Sequence, residues 1–322
     1  LNLSLPRLKK VNFSTPIGDN PLAALFFLLV GVMLLAVQDT LIKFISDFSS
    51  FWQIQVLRSF GNMVLIILLS LISGGIASVF PKRQVAVIAR SLFMVVCMFC
   101  FFPGAPFLSI AQMAAGLYTY PLFVSILAIP VLGEKIGKWR LCALVVGAVG
   151  ALLMLNPLAD NFSLVQLLPI AAGFFYACNI MILRRYCRDE STLALTFYNA
   201  IAFFLSGLLG VGVLAFLPFS PETQLALPFV AVGWPAVTLF VIVFAALCSF
   251  LNLFGNLGLT RAYQTAESSW LAPVDFSYLI FVALCGKVIF GSWPTTHAWI
   301  GMALIAAAGV ITVLREHSRI SK

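Results

Sequence analysis

Charge is what this chain has least of: Asp, Glu, Lys and Arg make up 9% of its 322 residues, where a water-facing globule carries about 25%. With 62% hydrophobic residues and a mean hydropathy of +1.07, that scarcity excludes an ordinary soluble domain. Histidine is nearly missing, with His297 and His317 the only two. No HExxH pair, no clustered metal ligands and no phosphate-cradling Gly-Lys loop occurs, so the usual signatures of metallohydrolases and of ATP-driven pumps are absent. A Ser–His hydrolase working inside a membrane would need His297 opposite a buried Ser, and no other residue argues for one. Neither a metal nor a cofactor is expected. Six of the seven cysteines (Cys97, Cys100, Cys142, Cys178, Cys248 and Cys285) sit inside apolar runs and Cys187 lies between two of them, which leaves no exported disulfide framework. Cys97 and Cys100 form a CxxC without a second pair, and are read as small packing residues. The net charge of +8 comes without any basic stripe interleaved with aromatics, so nucleic acid is not an expected partner.

What the chain does have is long apolar runs, each able to cross a ~30 Å hydrocarbon core as a helix. They cover roughly 21 to 45, 51 to 73, 85 to 102, 106 to 129, 139 to 156, 164 to 183, 192 to 217, 229 to 257, 263 to 290 and 297 to 314. Cations occupy every second gap. Arg7, Lys9 and Lys10 precede the first run; Lys82 and Arg83 follow the second; Lys135, Lys138 and Arg140 follow the fourth. Arg184, Arg185 and Arg188 follow the sixth, Arg261 follows the eighth, and Arg315, Arg319 and Lys322 follow the tenth. Short basic loops stay cytoplasmic, so the pattern predicts an all-α polytopic membrane protein of ten transmembrane helices with both termini inside. Residues 1–20 and 315–322 are then cytoplasmic, and the first run is expected to remain as a signal anchor. The longest outer gap, about 218 to 228, carries three prolines and leaves no room for a soluble domain.

The two halves echo one another. Ala114 and Pro121 are separated by six residues, as are Ala266 and Pro273; Gly31, Gln38 and Lys43 fall opposite Ala172, Asn179 and Arg184 at one constant offset. Five spans per half is an odd number, so the copies at 21–156 and 164–314 enter the membrane from opposite sides as inverted repeats. Further residues carry a family likeness: Leu132-Gly133-Glu134-Lys135-Ile136 ahead of a Gly-rich helix, then Ala272-Pro273-Val274-Asp275-Phe276 leading through Phe290-Gly291-Ser292-Trp293-Pro294 to Gly301 and Gly309. Over roughly residues 20 to 315 the chain resembles the drug/metabolite transporter superfamily, EamA type, in the branch that includes S-adenosylmethionine carriers. The likeness implies two five-helix EamA units and a secondary carrier in the bacterial inner membrane. It departs at Ser292, where the second unit usually has Glu, so a role shared by two Glu residues does not carry over from Glu134.

An ionised side chain at the centre of a span costs about 2.5 to 3.5 kcal/mol on insertion scales, and must recover that from a partner, water or a ligand. Asp275 has no basic residue within a turn and follows Pro273; it is the leading substrate or proton group. Asp39 has Lys43 four residues on, and an i,i+4 pair near the outer mouth is the plain alternative to a functional role. Pro121 and Pro273 are expected to distort their helices and open carbonyls to a cavity. Around them stand Tyr118, Tyr120, Trp270, Phe276 and Tyr278, of which Tyr118, Tyr120, Trp270 and Phe276 are candidate substrate contacts. Gln38, Asn179, Asn252 and Asn256 add amides that either staple helices or read a substrate. Lys43, Arg58 and Glu267 join Asp39 as coupling or gating candidates, with pairing or snorkelling at the outer surface the simple role for Arg58 and a pair with Arg261 that for Glu267.

The resemblance implies a carrier for a small amphiphilic or zwitterionic metabolite; an acid without a nearby cation suits an amine or sulfonium, and aromatic faces suit a cation or a ring. An S-adenosylmethionine-like cargo fits all three; export of aromatic or other amino acids, or of drugs, is the alternative. A channel or an intramembrane enzyme is the rival class, disfavoured by the paired prolines and missing motifs. The expected partners are the substrate and the lipid bilayer, with a homodimer left open.

Overall fold

A computed structural model describes residues 21–73, 75–132, 138–155, 163–265, 271 and 274–320, and among these there is no strand. In lipid every backbone N–H and C=O needs a partner within its own segment, and helices supply it. In chain order they are α1 (Pro21–Ile45), α2 (Phe51–Ser73), α3 (Gln84–Phe101), α4 (Ile110–Leu117), α5 (Tyr120–Leu132), α6 (Lys138–Leu155), α7 (Leu168–Tyr186) and α8 (Thr192–Phe216). Then come the short α9 (Pro221–Ala226) and α10 (Pro228–Ala231), followed by α11 (Leu239–Thr265), α12 (Ser277–Phe290) and α13 (Thr296–Ile320). Side chains cap several ends: Ser191 accepts from the Ala194 N–H to start α8, and Ser109 and Gln112 form a reciprocal capping box that starts α4. Gly291, at φ 66°, supplies the left-handed residue that ends α12.

Among the described residues seven segments are long and apolar enough to cross a membrane, and Leu141–Met154, Ser277–Phe290 and Thr296–Ile311 are shorter apolar helices. The chain is thus a multi-pass membrane protein. Large apolar side chains such as Leu22, Phe26, Leu71, Leu209, Phe216, Leu239 and Val288 stand exposed on the outside of the bundle, as lipid contact requires.

Three boundaries differ from expectation. The fourth run is two helices, broken at Tyr118–Thr119, and Pro121 sits in the first turn of α5, where a missing N–H costs nothing, rather than kinking a continuous span. The eighth run was placed from 229, whereas α11 begins at Leu239, because Gly233 and Pro235 interrupt an apolar stretch that hydropathy alone reads as continuous. Residues 263–265 belong to the end of α11 rather than to the ninth span. Pro273 lies outside the described residues.

Helix pairing is regular. α1 packs on α11 and α12; α3 on α7 and α8; α2 on α8 and α11; α4 on α7 and α12; α5 on α7; α6 on α13. Small residues allow the closest approaches. A Cβ on Gly150 would lie 2.8 Å from the Gly301 carbonyl oxygen, and one on Gly301 would lie 2.7 Å from that of Gly150, so α6 and α13 touch backbone to backbone. Gly301→Val must push these helices apart and is expected to cost about 1–3 kcal/mol. Unfolding in detergent at the wild-type temperature would show that the contact contributes nothing.

Candidate functional site

The site starts on α1. Gln38 is buried and Asp39 partly so; Gln38 Nε2 donates to Asp39 Oδ1 at 2.7 Å, and the other carboxylate oxygen accepts from the Tyr278 hydroxyl of α12 at 2.5 Å. Gln38 Oε1 accepts from Asn252 Nδ2 of α11 at 2.7 Å, and Asn252 Oδ1 accepts from Asn62 Nδ2 of α2 at 3.3 Å. One amide chain therefore ties three helices to the Asp39 carboxylate.

From Tyr278 the path turns aromatic. Its ring stacks on Tyr118 with centroids 4.9 Å apart and planes 11° from parallel, while Tyr118 meets Tyr120 and Phe276 edge-on at 5.8 and 5.5 Å. The break between α4 and α5 places both tyrosines here, since an unbroken helix would aim residues two apart about 200° from each other. Tyr120 donates from its hydroxyl to Asp275 Oδ2 at 3.4 Å, Tyr118 donates to the Asp275 carbonyl at 3.3 Å, and Tyr176 of α7 meets Tyr120 edge-on at 4.9 Å. A continuous ribbon of amides, hydroxyls and rings thus joins Asp39 to Asp275. Both carboxylates are held by neutral donors, an arrangement in which a cation or a proton can come and go without first breaking an ion pair.

Seven expected residues meet here: Gln38, Asp39, Tyr118, Tyr120, Asn252, Asp275 and Phe276. Asn256 turns back on its own helix, donating to the Asn252 carbonyl at 2.8 Å. Asn179 is buried in α7, and its Oδ1 finds no donor among the described residues. Lys43 does not pair with Asp39; its ammonium donates to the Ala105 carbonyl, because that acceptor is in reach while the carboxylate is turned to Tyr278. Arg58 does not snorkel: it is 3% exposed, donates to Gln55 Oε1 at 2.8 Å, and lies against the Phe102 and Phe203 rings. Trp270 and Glu267 lie outside the described residues. The sequence marks Tyr278 only as an aromatic beyond Pro273, and Tyr176 carries no signal except a hydroxyl in an apolar run.

Side-chain clasps close both ends of the bundle. At the end bearing Lys82, the Glu190 carboxylate accepts from the Lys82 and Arg83 N–H groups at 2.8 and 2.7 Å, and Arg185 donates to the Val131 carbonyl. At the other end Trp52 Nε1 and Gln53 Nε2 donate to the Val230 and Pro235 carbonyls, each at 2.8 Å, and Ser50 donates to the Gly233 carbonyl at 2.7 Å.

A helical bundle with lipid-facing walls and a buried acid–tyrosine–amide path defines a polytopic membrane protein with a polar interior. Residues 22–156 match the model of the EamA-like transporter family. Among similar curated proteins, the riboflavin transporter of Vibrio cholerae serotype O1 is 29% identical over 197 residues, 60% of this chain and 59% of that protein. The S-adenosylmethionine uptake transporter of Rickettsia bellii is 26% identical over 208 residues, 64% of each chain. A riboflavin transporter of Rhizobium johnstonii is 26% identical over 67% of this chain and 66% of its own length. The chain therefore spans about three fifths to two thirds of the length of these relatives. A solved structure described only as a crystal structure of a protein shares the fold, with a TM-score of 0.58 at 16% identity over 92% of this chain and 99% of its own.

Proposed function

We propose that the protein is a secondary transporter of the bacterial inner membrane: ten spans in two inverted five-helix repeats, 21–156 and 164–314, with both termini cytoplasmic, moving a small metabolite by alternating access. Helix pairing supports the repeats. Exchanging the halves (α1 with α7, α2 with α8, α3 with α11, α4 and α5 with α12, α6 with α13) turns the α1–α11 contact into α7–α3, and α2–α11 into α8–α3. It also turns α1–α12 into α7–α4 and α7–α5, while α2–α8, α4–α12 and α6–α13 map onto themselves. Seven long apolar segments and three shorter apolar helices among the described residues support a count of ten spans.

One observation carries the functional reading: the Asp39–Tyr278–Tyr118–Tyr120–Asp275 path lies where the halves meet, between elements that alternating access would move apart. Its chemistry suits a planar ring with a polar or cationic tail. Tyrosine faces stack on the ring, while amides and carboxylates take the tail. Such a class holds both the S-adenosylmethionine-like cargo expected from sequence and the riboflavin of the named relatives; amino-acid export is the second reading. The test is counterflow into proteoliposomes preloaded with riboflavin, S-adenosylmethionine or aromatic amino acids. Saturable exchange of at least one is expected, and its absence with all of them, in vesicles holding folded protein, overturns the proposal. Orientation is tested by a single cysteine in place of Lys138 in a variant lacking the native cysteines. Impermeant reagent is expected to leave it unlabelled in intact cells, and labelling from outside would reverse the topology.

A further inference from the structure

Among the described residues the best-buried cation has no use in the path just described. Arg58 is 3% exposed, and among the described residues its side-chain hydrogen bond goes to a neutral amide, Gln55 Oε1. Among the described residues neither its Nε nor the Gln55 Nε2, both buried donors, has an acceptor, and the Ser59 hydroxyl one residue on has no hydrogen-bond partner either. Residues 55, 58 and 59 share one face of α2 by helical spacing. The guanidinium carbon lies 5.8 Å from the Phe102 ring centroid and 5.7 Å from that of Phe203, so two rings flank it. A guanidinium taken out of water without an anion is costly, and donors left over beside it are the complement of an oxyanion. The carboxylate within its electrostatic reach is Asp39, whose oxygens take their bonds from Gln38 and Tyr278 instead.

We infer that Arg58 and Gln55 form the docking point for a substrate carboxylate, so that the cargo carries an α-amino-acid head whose ammonium faces Asp39. The inference rests on the transport reading for what the ligand is, and it narrows that reading to amino-acid-tailed compounds. A single guanidinium matches a monoanion and its planar fork fits a carboxylate. A dianionic phosphate would leave surplus negative charge in a bundle that already buries Asp39 and Asp275.

The test uses purified full-length protein and two ligand pairs that differ in the carboxylate alone: S-adenosylmethionine with its decarboxylated analogue, and phenylalanine with phenethylamine. On the wild type, removing the carboxylate from a bound member is expected to weaken binding by about 100-fold. Arg58→Gln should erase that difference while leaving the decarboxylated partner's affinity unchanged, and Arg58→Lys should restore part of it. Equal affinity within both pairs, or no binding by any of the four ligands, overturns the inference on wild-type protein, whether or not the variants fold. An Arg58→Gln loss that falls equally on both members assigns Arg58 to structure and overturns it too. Counterflow separates the two readings. Riboflavin exchange without recognition of either pair keeps transport and removes the carboxylate site, whereas carboxylate-dependent binding without any exchange keeps the site and removes transport.

Discussion

Tyr118→Ala is expected to destabilise the protein by about 3–5 kcal/mol, the cost of removing a large buried ring from a packed interior. Tyr118 is 8% exposed and its ring touches Tyr120, Phe276 and Tyr278 at once, and Tyr120 and Tyr278, held by their own hydrogen bonds, cannot collapse into the space. Tyr118→Phe keeps the ring and loses the 3.3 Å bond to the Asp275 carbonyl, a change of about 0.5–1.5 kcal/mol. Thermal unfolding in detergent should rank wild type, Phe and Ala in that order, with a gap between Phe and Ala several times that between wild type and Phe. Equal unfolding of the Phe and Ala variants would mean that the stack with Tyr278 does not form. The result also bears on transport, since a ring so well packed acts first as the support that aims Tyr278 and Tyr120 at the two carboxylates.

The residues that reach this site were easier to read from sequence than their partners. Asp39 and Asp275 stand out because charge inside an apolar run is costly, and Tyr118 and Tyr120 because Pro121 follows them. Their pairing was not legible. Lys43 is one helical turn from Asp39, yet spacing fixes only the direction of a side chain's Cα–Cβ bond, and the stronger claim on the carboxylate comes from Tyr278, 239 positions away. Arg58 was misplaced for a related reason: hydropathy reports that a cation lies near a span, not whether Phe102 and Phe203 will enclose it. Span limits failed where apolar content and helix continuity part company. Residues 229 to 238 are as greasy as a helix interior, but Gly233 and Pro235 turn them into a strap that Trp52 and Gln53 hold against α2.

Asp275→Asn is expected to have the largest effect on transport of any conservative change, because it removes a charge and leaves the shape. The carboxylate Oδ2 accepts from Tyr120, and its backbone carbonyl accepts from Tyr118, so Asn can keep both bonds and should fold. Two roles then separate. As counter-ion to a substrate amine or sulfonium, Asp275 must be charged when cargo is bound, and the Asn variant should lose affinity for cationic ligands by about 10- to 100-fold while neutral analogues of the same shape are unaffected. As a proton carrier it must bind and release a proton in each cycle. The same variant should then accumulate nothing when a pH gradient is imposed, yet still exchange substrate for substrate across the membrane, since exchange needs no net proton movement. Proteoliposome assays with and without the gradient, run on one cationic and one neutral ligand, distinguish the two outcomes. Wild-type behaviour in all four conditions would remove Asp275 from the mechanism and leave Asp39, joined to it through Tyr278, Tyr118 and Tyr120, as the acid that carries it.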